Sequence, residues 1–280
     1  MKKSGLVIIL LLLTQFAFCQ SAISVVKSGK GNPIIFLPGF TTPGSVWNET
    51  VKHLDAPWEV HIVSYAGFNG LAAIDTPWYP AVKNQLAAYI KNEKLKNVIL
   101  IGHSMGGNLA IDLAAEFPGE VVGLILVESL PCMREIMMPG VPATFLQYNS
   151  PYNQKLLAMP DEDFKKMATA MAQNMTNSIP KVEVIANWSI IADRKTYVYG
   201  YTDLLKLDLR EKLSGINIPT LILGASFPNK EIVFSNYQKQ YANLKNKEIL
   251  MAEGSKHFIM FDQPEWLYSQ VNKYLAQYVR

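Results

Sequence analysis

Residues 98–111 read VILIGHSMGGNLAI, an apolar run of strand type that meets Gly-His-Ser-Met-Gly and then turns helical. Ser104 has glycine two positions to either side, Gly102 and Gly106. That spacing suits a nucleophile, because a serine lifted out of a sharp strand-to-helix turn needs small neighbours where the chains approach. Its hydroxyl would stand at a helix N-terminus, whose amides and dipole favour a developing negative charge. The competing reading is a serine in an ordinary tight turn. A serine is a weak nucleophile near neutral pH and needs a base within hydrogen-bond reach. Four histidines are available. His103 adjoins Ser104 and is expected to point away from it, His53 falls in a helical stretch, and His61 lies within a strand. His257 occupies a loop between the run NKEILMA and a terminal helical pattern.

The elements that must hold these residues follow from periodicity. AISVVKSG alternates enough for an edge strand. IIFLPGF, WEVHIVSY, NVILIGH, VVGLILVES, PTLILGA and NKEILMA are short runs apolar on both faces, as strands of a covered, mostly parallel sheet are. Helical patterns fall between them at roughly 79–93, 105–117, 229–243 and 263–279, so the expected fold class is α/β with helices on both faces of a central sheet. The alternation breaks from residue 130 to 214, where no strand-like run occurs and apolar residues recur at helical spacings. The expected organisation is a core of residues 20–129 and 215–280 with a helical lid inserted at 130–214. The lid opens with PCMREIMMPGVP, whose three prolines and glycine exclude a long helix. Its methionines, Met137 and Met138 foremost, together with Met133, Met159, Met167, Met171 and Met175, are flexible apolar side chains able to line a substrate pocket or to pack the lid on the sheet.

Composition bounds the chemistry. The chain has 280 residues, 49% hydrophobic and 18% charged, enough for a large core. A formal charge of +3 without a block of one sign points to no nucleic acid or anionic surface. The first residues, MKKSGLVIILLLLTQFAFC, pair a basic start with an apolar run from Leu6 to Leu13, the pattern of a secretory signal peptide over 1–19. Thr14 and Gln15 break the run short of the length a membrane span needs. An exported protein, periplasmic or extracellular and without a stable span after processing, is expected, with lipid anchoring at Cys19 or an uncleaved anchor as the alternatives. Removal of Lys2 and Lys3, the charged side chains of that segment, lowers the formal charge from +3 to +1. Cys132 is then the remaining cysteine, so no intramolecular disulfide forms, and it reads as a small buried thiol. No His, Cys or Asp spacing suits a metal, and neither a Walker loop nor a dinucleotide fingerprint is present; no cofactor is required.

With GHSMGG, the upstream LPGF and the late SKHFIMFDQPE in this order, the chain resembles the α/β-hydrolase family of lipases, esterases and lactonases across residues 22–280. The resemblance implies His257 as the general base, since that family places its base after the last strand and orders serine before histidine. It also implies an oxyanion hole built from the backbone N–H groups of Met105 and Phe40, with the Phe40 side chain free to wall the substrate pocket. The acid departs from the usual pattern, because ASFPN after PTLILG holds no carboxylate before Glu231. Some hydrolases of this fold carry the acid at the strand after the nucleophile's helix, which here is Glu128 in LILVESLP. Glu231, Asp203 and Asp208 are alternatives, Asp262 reads as a helix cap, and an incomplete triad remains open. Trp47, Trp78, Trp188, Tyr197 and Tyr199 suit either an acyl site or the core, while Arg134 and Arg194 suit a substrate carboxylate or solvent.

The expected activity is a serine esterase acting on an ester, lactone or related acyl bond of a small to medium apolar compound. A non-catalytic, ligand-binding member of the same fold is the alternative, favoured by the displaced acid. Lyase chemistry through the same serine and histidine is a third.

Overall fold

The computed structural model describes residues 20–279, so the segment read as a signal peptide, 1–19, lies outside the described residues. The chain runs through β1 (Ile23–Gly29), β2 (Pro33–Leu37), α1 (Asn48–Lys52), β3 (Glu59–Tyr65), α2 (Trp78–Asn92), β4 (Val98–His103), α3 (Met105–Glu116) and β5 (Val121–Val127). Then α4 (Met133–Met137), α5 (Pro151–Leu157), α6 (Asp161–Gln173), α7 (Ile179–Ile190) and α8 (Arg194–Lys206) follow with no strand between them. The sheet resumes with β6 (Thr220–Ala225), α9 (Lys230–Gln240) and β7 (Lys247–Ala252), and α10 (Ile259–Asp262) and α11 (Pro264–Leu275) come last. Among the described residues no helix is long and apolar enough to cross a membrane.

The seven strands form one sheet in the order β1-β3-β2-β4-β5-β6-β7, antiparallel only between β1 and β3. Side chains alternate between two cores, as strand geometry requires. Ile34, Phe36, Ile99, Ile101 and Ile125 face Trp47 and the Leu267–Val271–Leu275 stripe of α11. Ile35, Leu37, Leu100, Leu124 and Leu126 face Val82 and Leu86 of α2, Leu109 and Leu113 of α3, and Tyr237 of α9. Burial on both faces is why these runs read as continuously apolar. β7 differs from that expectation: it is the second edge, and only its Ala252 is buried. α9 and α11 also end three to four residues before the helical pattern does: Tyr241 caps α9, its hydroxyl donating to the Ser129 carbonyl at 2.8 Å, and Ala276–Tyr278 tighten into a 3₁₀ turn.

The ladder runs one residue past the two central strands. Ser104 N–H donates to Val127 O and Glu128 N–H to Leu223 O, each at 2.8 Å. Directly beyond those bonds the chain turns through left-handed backbone, with φ of 53° at Ser104 and 49° at Glu128. Such a conformation costs a non-glycine residue of order 1–3 kcal/mol and survives only where neighbours dictate it. At Ser104 the crowding is explicit: a Cβ on Gly102 would lie 2.3 Å from Gly106 O, and one on Gly106 would lie 2.1 Å from Leu37 O. Gly106→Ala is therefore expected to destabilise the fold by about 1–3 kcal/mol. A lowered urea midpoint with an unchanged slope would show it, and an unchanged midpoint would mean the turn has room to spare.

Candidate active site

Glu128 ends up between three elements. Its Oε1 accepts from the Ala225 amide at the end of β6, at 2.6 Å, and from the Tyr237 hydroxyl of α9, at 2.8 Å. Its Oε2 lies 3.2 Å from Nδ1 of His257, five residues beyond β7. An ionised carboxylate only accepts, so Nδ1 carries the hydrogen and Nε2 keeps its lone pair. That is the tautomer a general base needs. Burial, reinforced by the Glu128 charge, pushes the Tyr237 phenol well above its ordinary range and keeps it a donor. Sequence reasoning missed Tyr237. The one signal was its place with Val233 and Tyr241 at helical spacing on the buried face of α9, which marks a core position without naming the acceptor.

Ser104 sits at the N-terminus of α3 and its side chain does not cap the helix. Ser104 and His257 border the same two cavities. One, about 180 Å³, is shared with Leu130, Met133, Leu204 and Tyr237; the other, about 70 Å³, is shared with Phe40, Thr42 and Ser189. The Met105 amide, first in its helix, has no intrahelical acceptor. Among the described residues the Phe40 amide also lacks an acceptor. The Phe40 ring packs edge-on against Phe68 and Trp78 and beside Tyr197 and Tyr201, so it forms a wall under α8.

Met137 and Met138, read from sequence as pocket residues, border neither cavity. They line a separate space of about 400 Å³ with Phe145, Tyr152 and Tyr201. The reason is the direction of α4: Met133 at its start reaches the Ser104 side, whereas four residues later the helix has risen about 6 Å away. Met175, between α6 and α7, does border the smaller cavity.

Among the described residues, none of the other candidate carboxylates bonds His257. Asp203, buried on α8, caps α2 by accepting from Tyr79 N at 3.1 Å and also accepts from the Tyr148 hydroxyl. Asp208 pairs with Arg210 through two contacts of 2.8 and 2.6 Å, which hold its carboxyl below the usual range. Glu231 is exposed in the first turn of α9. Asp262 caps no helix start. It ends α10 and accepts from Lys256 N (2.8 Å), Asn177 N (2.9 Å) and Thr176 Oγ1 (2.5 Å), tying the α6–α7 turn to the His257 loop. Arg194 lies over the Phe164 ring and donates to the Leu156 and Met159 carbonyls, and Arg134 donates to Leu205 O. Trp47 and Trp78 are core, and the Cys132 thiol is buried. His53 bonds its own helix at Glu49 O, and His61 is buried between Tyr89 and Glu59. Among the described residues no cluster of three or more His, Cys, Asp or Glu is arranged to hold a metal.

Removing the Tyr237 hydroxyl leaves Oε1 of Glu128 with one donor. Tyr237→Phe is expected to lower stability by about 1–3 kcal/mol in chemical denaturation. No change would mean that the hydroxyl adds nothing the Ala225 amide does not already supply.

Residues 34–270 match the model of the alpha/beta hydrolase family. The pimeloyl-[acyl-carrier protein] methyl ester esterase of Aeromonas hydrophila is 26% identical over 211 residues, covering 71% of this chain and 78% of that protein. The esterase of the same name from Shewanella woodyi is also 26% identical, over 208 residues, with 72% and 78% covered. Among solved structures, an esterase from Exiguobacterium antarcticum superimposes with a TM-score of 0.75 at 21% identity, covering 91% of this chain and 95% of that one. The enol-lactonase of Burkholderia xenovorans LB400 gives 0.73 at 15% identity, covering 91% and 96%. These likenesses in shape concern the fold alone, but the family model spans most of the sequence, from β2 into α11, and on that ground the chain belongs to the alpha/beta hydrolase family.

Proposed function

We propose that the protein is a serine esterase in which Ser104 attacks an acyl carbon, His257 takes the proton and Glu128 orients the imidazole. The observation that carries this reading is the 3.2 Å contact between His257 Nδ1 and Glu128, with Ser104 bordering the same cavities as His257. In the proposed cycle the Ser104 Oγ–C bond forms as His257 Nε2 accepts the hydroxyl proton, and the Met105 and Phe40 amides receive the oxyanion. Collapse of the tetrahedral species expels the alcohol, protonated by His257. Water, deprotonated by the same nitrogen, then releases the acid and restores Ser104.

Cavity size supports a small to medium acyl ester. An apolar space of about 150 Å³ holds a benzene-sized group, so the 180 Å³ side suits an acyl group of five or six carbons or one ring. The 70 Å³ side has room for about two waters and suits a methyl or ethyl leaving group. The relatives' names specify a methyl ester, which matches the small leaving-group side; their carrier-bound pimeloyl group is larger than the acyl side proposed here. The α4–α8 insertion is proposed to act as a lid, and residues 1–19 as a signal peptide that exports the chain. A mature N-terminus at Gln20 in an exported fraction would support export, and a retained leader in the cytosol would overturn it.

Fluorophosphonate labelling of residues 20–280 with peptide mass analysis tests the chemistry. One adduct on Ser104 is expected, lost in Ser104→Ala and strongly slowed in His257→Ala. Glu128→Gln is expected to lower kcat by about 10²–10⁴. No adduct on folded protein would put the ligand-binding alternative first.

A further inference from the structure

His103 is fully buried, directly before Ser104, and the mechanism above gives it no task. Its Nε2 lies 3.0 Å from the main-chain carbonyl oxygen of His257. A carbonyl only accepts, so Nε2 is the protonated nitrogen and donates. Nδ1 then presents a bare lone pair, buried and without a partner among the described residues. Burial, with His257 adding to it, holds the imidazole well below its ordinary pKa, so the ring is neutral. The ring centroid stands 4.7 Å from that of His257 and 4.9 Å from that of Phe258. On its other side a Cβ placed on Gly39 would fall 2.8 Å from Nδ1 and 3.3 Å from the Ser104 Cβ. The one ring therefore touches the nucleophile's turn, the base's loop and the Gly39–Phe40 turn.

A phenyl ring would fill the same space without an orphaned nitrogen, so shape alone does not call for an imidazole here. What the imidazole supplies is the Nε2–H bond. The residues on either side of His257 are tied to other elements, Phe258 N–H to Met175 O at 2.9 Å and Lys256 N–H to Asp262 at 2.8 Å. Among the described residues, His103 is the partner of the His257 carbonyl itself.

We propose that His103 is a positioning residue, whose Nε2–H fixes the main chain of His257. The inference rests on the Ser104–His257 reading of the preceding subsection. It predicts a geometry effect on the chemical step: a base displaced by a fraction of an ångström loses turnover while ground-state binding stays.

The test compares His103→Gln, His103→Asn and His103→Phe on a p-nitrophenyl ester and on the fluorophosphonate. The glutamine Nε2 stands as many bonds from Cα as the imidazole Nε2, whereas the asparagine amide stops a bond short. Glutamine is expected to retain most of kcat, while asparagine and phenylalanine lose about 10- to 100-fold with KM little changed. A folded His103→Phe with wild-type kcat, or Gln and Phe falling equally, overturns the inference. A wild type that is itself inert to the fluorophosphonate overturns the Ser104 reading and the inference with it, a result distinct from the first. Nitrogen-15 NMR of the imidazoles in the wild type tests the donor itself even if the variants fold poorly. Nε2–H with unprotonated Nδ1 at His103 is expected, and the opposite tautomer overturns the proposal.

Discussion

Two parallel-ladder hydrogen bonds, Ser104 N–H to Val127 O and Glu128 N–H to Leu223 O, carry the site. They pin the residue after β4 and the residue after β5 to the neighbouring strand before the chain may leave the sheet. Both residues then take left-handed backbone, a conformation that an unrestrained serine or glutamate avoids. Flush packing on both faces makes the strain tolerable, because relaxing either turn would disturb strands whose side chains are buried, Val122 of β5 alone being half-buried. Sheet order supplies the remaining geometry: β4, β5 and β6 are neighbours, so their ends deliver Ser104, Glu128 and the Ala225 amide to one rim.

The carboxylate of Glu128 is then satisfied from three directions, by a main-chain amide, a phenol and an imidazole. A part-buried carboxylate with a single partner would be costly, whereas one with both oxygens engaged is compensated and held in place. Glu128 meets His257 from the end of β5, while the sequence ASFPN after β6 offers no carboxylate.

The insertion after β5 does more than cover the sheet. Its α6–α7 turn is bonded to the His257 loop through Asp262, Lys256 Nζ on Gln173 O, and Phe258 N–H on Met175 O. Loop backbone is ordinarily the mobile part of a domain, and these bonds give the His257 segment partners on an element other than its own strand. The Met133 end of α4 and the Leu204–Leu207 stretch at the end of α8 contribute apolar walls to the larger cavity beside Ser104.

The sequence alone determined the α/β class, the strands and the turn around Ser104. Those are local: short runs apolar on both faces, glycines two residues either side of one serine, and an apolar helix immediately after it. Glu128 was legible as the leading acid only through the family resemblance, and Met137 and Met138 read as pocket residues without showing which cavity they line, because composition carries no direction. Tyr237, the Ala225 amide and the His103–His257 bond were invisible, since each joins residues about 100 or more positions apart. Only the tertiary structure decides such pairs, because side-chain partners are set by which strand ends lie side by side, and strand order is a property of the folded sheet rather than of any segment within it.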